Sequence, residues 1–89
     1  MLDKIYKQEP DCVFEEMDSE ALIYNPSAAS TLHLNESSAV IWKLLDGERT
    51  VDDIIDMLKE AFPEQADQIE NDVKDVITNM VDNKVVSMV

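Results

Sequence analysis

Apolar and polar positions alternate through the first third of the chain, and then the period changes. In "CVFEEM" (Cys12–Met17), Cys12 and Phe14 fall on one face and Val13, Glu15 and Met17 on the other, the period-two pattern of a strand. "ALIYN" (Ala21–Asn25) is short, apolar and aromatic, and the polar "DSE" of Asp18–Glu20 predicts a turn between the two runs. Pro26 and Ser27 break the second run before "STLHL" (Ser30–Leu34), where Leu32 and Leu34 share a face opposite Thr31 and His33. Three short strands with short links predict an antiparallel meander.

From Asn35 the period becomes helical. Asn35 is a good N-cap, with Ser38 near the position whose backbone N–H it would satisfy. Val40, Ile41, Leu44 and Leu45 then form one apolar stripe, with Ala39 and Trp42 beside it. Gly47 is expected to end this helix, because a residue without Cβ takes the left-handed C′ conformation at little cost. Thr50 starts a second helix: "TVDD" has capping-box spacing, with Asp53 where Glu or Gln is usual, and Asp52 and Asp53 suit the positive end of the macrodipole. Val51, Ile54, Ile55, Leu58 and Phe62 have the spacing of a core face, and Pro63 stops the helix. A third helix is predicted from about Glu64 to Asp82, with Ile69, Val73, Val76, Ile77, Met80 and Val81 on one side and Asn83 closing it in the left-handed conformation. The terminal "VVSMV" reads as a short edge strand or a frayed tail. Trp42 and Gly47 are expected to be architectural.

Eighty-nine residues leave room for one domain, residues 1–89, with one modest core, and 45% hydrophobic residues suit a globular chain. No apolar run approaches the roughly 18 residues of a membrane span, and "MLDKIYKQEP" lacks the apolar region of a signal peptide. A single cysteine, Cys12, calls for no oxidising compartment. These features predict a soluble cytoplasmic domain. Charge changes the picture most: 20 Asp and Glu against 7 Lys and Arg give a formal net of −13. Such a surface repels a phosphate backbone, which argues against nucleic acid, and attracts a basic partner.

Catalytic and metal chemistry find little support. One Cys and one His do not make a soft metal site. Asp46-Gly47 fails as a calcium loop, since with Gly47 in sixth place Trp42 and Leu44 would stand where the first and third ligands belong. Ser19, Ser37 and Ser38 have no adjacent imidazole, and His33 sits alone on a predicted strand, where a surface or cross-strand role is commoner than that of a base. One glycine cannot build a phosphate-cradling loop. No catalytic residue, metal or cofactor is expected. A phosphopantetheine carrier would have to use Ser19, in the only Asp-Ser pair, which lies between strands and not at a helix start.

Three stretches carry a resemblance: "LIYNP" (Leu22–Pro26), "LHLNESSAVIWKLLDGERTVDDI" (Leu32–Ile54) and "DVKDVITNMVDNKVV" (Asp72–Val86). An LN before the first helix, a Trp near its end, an LLDG-x-RT turn and a DV-rich last helix before a short apolar end together resemble the PqqD family, the coenzyme PQQ synthesis protein D and related RiPP recognition elements. The resemblance runs from about Met17 to Val86. It implies an α+β, winged helix-turn-helix-like fold, a three-stranded antiparallel N-terminal sheet packed on three helices. It also implies a non-catalytic peptide chaperone that holds the leader of a ribosomally made precursor peptide and presents it to a modifying enzyme, often a radical SAM protein, with PQQ among the possible products. In the family the leader adds as a strand beside the third strand, in a cleft closed by the third helix. Carried onto this chain, the edge is Ser30, Thr31, Leu32, His33 and Leu34, and the cleft wall holds Val73, Lys74, Ile77 and Val81. A glycine that often follows the last helix in the family is absent from "NKVVSMV". The competing readings are a DNA-binding winged helix, opposed by the net charge, a structural dimer-forming winged-helix module, and an acidic carrier-type protein.

Overall fold

The period-two stretches fold as strands, and three further strands join them. In the computed structural model, which describes residues 2–18 and 20–89, the chain runs β1 (Ile5–Gln8), β2 (Val13–Met17), β3 (Glu20–Asn25), β4 (Ser30–Leu34), α1 (Glu36–Leu44), β5 (Asp46–Thr50), α2 (Val51–Ala61), a 3-10 turn at Pro63–Gln65, α3 (Ala66–Asp82) and β6 (Val86–Met88). The expected meander is present as an antiparallel sheet in the order β2-β3-β4. Its inward positions are Ala21, Ile23 and Leu34, all buried, while Val13, Thr31 and His33 face solvent. The turn expected at Asp18–Glu20 includes Ser19, which lies outside the described residues; Asp18 itself has φ +51°.

A second sheet, in the order β5-β1-β6, was not expected. Its strands lack clean alternation, so long-range backbone bonding decides their conformation. The N-terminal segment is its centre. Ile5 and Lys7 pair with Thr50 and Asp46, and Tyr6, Lys7 and Gln8 pair with Met88, Ser87 and Val86. The chain end "VVSMV" is therefore a strand, not a frayed tail. The same N-terminal segment closes α2: the N–H groups of Val51 and Asp52 donate to the carbonyls of Lys4 and Leu2. Thr50 and Asp53 complete the expected capping box, so the backbone donors of Thr50, Val51, Asp52 and Asp53 at the start of α2 all have partners.

Asn35 caps α1 as expected, its Oδ1 accepting from Ser38 N at 2.9 Å. Four other details differ from the sequence reading. Gly47 does not close α1; Leu45 takes the C-cap, and Gly47 sits two residues on, inside β5. It still needs its missing Cβ, because φ is +84° and an added Cβ would stand 3.4 Å from Lys7 Cβ. The inward line of α1 is Ala39, Ile41 and Trp42 continuing to Leu45, while Val40 and Leu44 are half-buried at its edge. Asn83 keeps a negative φ of −89°, and it is Lys84, with φ +61°, that makes the left-handed turn after α3. Phe62 leaves the core face of α2 and stands 45% exposed as its C-cap. The core is otherwise the expected one, with Ile54, Ile55 and Leu58 of α2 against Ile69, Val73, Ile77 and Met80 of α3 under β3 and α1.

Candidate functional site

β4 is an edge strand, paired with β3 on one side and open on the other among the described residues. Which of its backbone groups point outward follows from the turn before it. Asn25 and Ser30 close the four-residue loop of Pro26–Ala29. Pro26 has no N–H to make the flanking bond of a non-hydrogen-bonded pair, so Asn25 and Ser30 are the pair that exchanges both bonds. The alternation along the ladder then turns the N–H and C=O of Ser30, Leu32 and Leu34 toward β3. Thr31 and His33 present theirs to the open side. Their side chains are exposed on the outer face of the sheet, where Thr31 stands opposite Tyr24 and His33 opposite Leu22.

Polar ties fix this hairpin against the end of α3. Asn25 is only 6% exposed. Its Nδ2 donates to the carbonyl of Lys84 at 2.6 Å, and its Oδ1 accepts from Ser27 N at 3.0 Å. The left-handed turn at Lys84 is what aims that carbonyl at Asn25. Nearby, the Ser30 hydroxyl donates to Asn83 Oδ1 at 3.4 Å, and Asn83 Nδ2 donates to the Asn79 carbonyl at 2.8 Å. At the other end of the strand, Asn35 shares a cleft with Asp72 and Val76. Strand and helix therefore run antiparallel side by side, from Ser30 and Asn83 at one end to Asn35 and Asp72 at the other. Asp72, Val76, Asn79 and Asn83 recur at helical spacing on the flank of α3 that borders this trough.

The residues expected in the cleft wall are spread around α3. Val73 is 1% exposed and forms floor, not wall. Ile77 is sealed in the core at 0%. Lys74 lies on the opposite flank, its Nζ 3.1 Å from Glu70 Oε2. Val81 is exposed on that flank too, in a separate hollow with Asn25, Ala28, Lys84 and Val86. The open edge of β4 presents Thr31 and His33, and the cleft at its end does not hold Lys74, Ile77 or Val81. The residues that cleft gathers in their place are Asn35, Asp72 and Val76. A half-buried Val76 with polar residues at three- and four-residue spacing was the available signal.

Beyond the end of β4 the trough opens into a cleft of about 290 Å³ between the start of α1, the end of α2 and α3. Ile41, Leu58, Ile69, Val73 and Val76 supply its apolar surface, and Asp72 and Asp75 stand on its rim. Elsewhere, burial raises the pKa of the half-buried Cys12 thiol, with Glu9 and Asp11 adding to the shift. Hydrogen bonds from the backbone N–H of Glu48 and of Arg49, with the Arg49 charge, lower the pKa of Asp46. Among the described residues no three His, Cys, Asp or Glu side chains gather as a metal site. The serine a carrier protein would use, Ser19, lies outside them. No described helix is long and apolar enough to cross a membrane.

Known proteins resemble the chain in sequence and in shape. The sequence model of the family described as coenzyme PQQ synthesis protein D (PqqD) matches residues 20–86. A "PqqA binding protein" of Rahnella aquatilis is 45% identical over 58 residues, which are 65% of this chain and 57% of that relative. The matched segment thus spans little more than half of the relative's length. The solved structure of TbiB1 in complex with the TbiA(beta) leader peptide superposes with a TM-score of 0.77 at 17% identity, over 91% of this chain and 94% of that one. At that identity the likeness speaks to the fold, which it gives as the winged-helix-like arrangement of sheet and three helices.

Proposed function

The chain belongs to the PqqD family, and from that membership we propose that it is a non-catalytic peptide chaperone. Its ligand is the leader of a ribosomally made precursor peptide, which it presents to a modifying enzyme of the radical SAM type in the cytoplasm. A precursor of the PqqA kind, the ligand for which the Rahnella relative is named, is the first candidate. The domain acts as one peptide-binding unit over residues 1–89 and needs no metal or cofactor of its own.

One observation carries this reading: among the described residues β4 is an unpaired edge whose outward donors and acceptors are those of Thr31 and His33, beside the trough between β4 and α3. An extended peptide laid in that trough gains main-chain hydrogen bonds from β4, while side-chain hollows beside it supply selectivity. Shallow space exists at the Asn35 end, with Glu20, His33, Leu34 and Asn35 around one hollow.

Proline at position 31 or 33 tests it. Each substitution removes an N–H that points away from β3, so the folded state tolerates it. An incoming strand loses that donor and meets the ring, which blocks its register. Each net hydrogen bond is worth about 0.5–1.5 kcal/mol, so a register losing two or three binds roughly five- to two-thousand-fold more weakly. His33→Ala should bind nearly as the parent does. Titration of each variant with a synthetic PqqA-type precursor, followed by amide NMR, reads both fold and affinity. If Thr31→Pro and His33→Pro both fold and bind like the parent, the peptide does not add to this edge.

A further inference from the structure

Phe62 is turned out of the core face by the C-cap backbone of α2. The spacing of α2 places it on the core face, yet it is 45% exposed at the helix end. It stands between two hollows, the 290 Å³ cleft and a second one that reaches Val40, Glu36 and Gln65. An exposed aromatic side chain on the lip of an apolar cleft is the mark of a binding surface more than of a packing fault.

The charge around that cleft has one sign. Asp72 and Asp75 are exposed on its rim, and Glu36 lies beside Phe62 in the adjoining hollow. Among the described residues no Lys or Arg lines either space, and Lys74 on the neighbouring stretch of α3 is held by Glu70 on the opposite flank. The cleft is also continuous with the β4 trough, because Asn35 both follows the last residue of β4 and lines the cleft wall. A peptide extended along Thr31 and His33 runs off the end of the strand into it. Its volume suits one large side chain and falls below that of a usual small-molecule site.

We infer that this cleft is a second reading point for the bound peptide, taking a bulky apolar side chain between Phe62, Ile41 and Val76 while an adjacent Lys or Arg of the peptide meets Asp72 and Asp75. The inference rests on the peptide-binding reading and adds to it a class of ligand, an apolar anchor flanked by a cation, next to the strand-pairing segment. The apolar part of the site fixes register, and the acidic rim rejects an acidic neighbour by like-charge repulsion.

The test uses the full chain and the synthetic PqqA-type precursor. Phe62→Ala removes an exposed side chain and should leave thermal stability nearly unchanged while weakening binding severalfold. Asp72→Asn with Asp75→Asn should weaken binding roughly tenfold at low salt, two exposed charges each contributing up to about fivefold, and the loss should fade at about 0.5 M salt. Asp56→Asn, an exposed acid of α2 outside the cleft, should bind as the parent does. Replacing the peptide's cations singly by Gln should weaken parent binding at one position and leave the Asp72, Asp75 double variant indifferent there. In every variant peptide-induced amide shifts at Thr31 and His33 should persist. Unaltered affinity of Phe62→Ala and of the double variant, with those shifts intact, overturns the cleft assignment and leaves strand addition standing. A parent that binds no precursor, with no shifts at β4, overturns both.

Discussion

Trp42→Ala should unfold much of the protein's stability while leaving the proposed binding surface untouched in composition. Trp42 is 7% exposed on the inward line of α1, and its ring stacks on Phe14 with centroids 4.8 Å apart and planes 10° from parallel. That stack joins the first helix to β2, and Lys43 lies 5.5 Å from the centroid of Phe14 while pairing with Glu16. Truncation of a buried Trp removes about 3–5 kcal/mol, against a total stability of roughly 4–13 kcal/mol for a chain of this length. At roughly 4–8 °C per kcal/mol for a small domain, the melting temperature should fall by well over ten degrees. One polar atom refines the expectation. Trp42 Nε1 is buried and finds no partner among the described residues, and an orphaned donor costs about 1–3 kcal/mol. Trp42→Phe deletes that orphan and keeps a ring on Phe14, so it should lose no more than about 1 kcal/mol. Urea unfolding of the two variants, read by circular dichroism, separates the cases. Should Trp42→Ala melt with the parent, or Trp42→Phe fall as far as Trp42→Ala, the ring is not the packing element argued here.

Gly47→Ala places a Cβ at φ +84° and 3.4 Å from Lys7 Cβ, so urea unfolding should show a net loss of about 1 kcal/mol, the left-handed strain of 1–2 kcal/mol partly offset by a stiffer unfolded chain. Asp46 has its folded pKa lowered from 3.8, first by the Glu48 N–H and then by Arg49, so its stabilising effect is present above that ordinary value and disappears as pH falls through the depressed one. Asp46→Ala should therefore lower the urea midpoint at about pH 6, and its difference from the parent should shrink as the carboxylate is protonated in acid; equal midpoints at the higher pH would remove the turn's electrostatic role. With a net charge of −13, the association rate with a basic precursor should drop severalfold between about 0.02 and 0.15 M salt, measured by stopped flow; a flat rate would leave the charge to solubility. Cys12, its pKa raised first by burial, should alkylate with iodoacetamide more slowly in the folded protein than in urea.

Where the chain's own period carried information, sequence sufficed. Ser30–Leu34 alternates and is bounded by Pro26 and the Asn35 cap, so both its strand conformation and its Thr31 and His33 face were readable. β1 and β5 were not, and β6 stayed open between strand and tail, because "IYKQ", "DGERT" and "VSM" become strands through long-range pairing, with bonds such as Glu9 N to the Val85 carbonyl and Val89 N to the Ile5 carbonyl. The helix positions were legible to within a residue or two, but the flank of α3 that borders β4 was not. Val73, Val76, Ile77 and Val81 are alike in period. Which of them is floor, wall or far side depends on where Asn25 and Ser30 grip Lys84 and Asn83. Phe62 shows the limit from the other direction: its spacing fits the core, and the C-cap backbone turns it out.

An open edge strand is a standing invitation to self-association, and this chain answers it with charge as well as length. β4 spans only Ser30–Leu34, and short edges are one way natural sheets avoid pairing with their own kind. Glu20 borders the hollow at its end, Glu36 follows it in sequence, and Asp72 and Asp75 stand across the adjoining cleft. Two copies meeting edge to edge would bring these acids together, whereas a basic peptide meets them with the opposite sign. The acidic composition that disfavours nucleic acid on a winged-helix-like fold thus acts at the same edge as a filter between partners. Backbone bonds along β4 are available to any extended chain, and the surrounding carboxylates would repel another acidic copy more than a basic peptide.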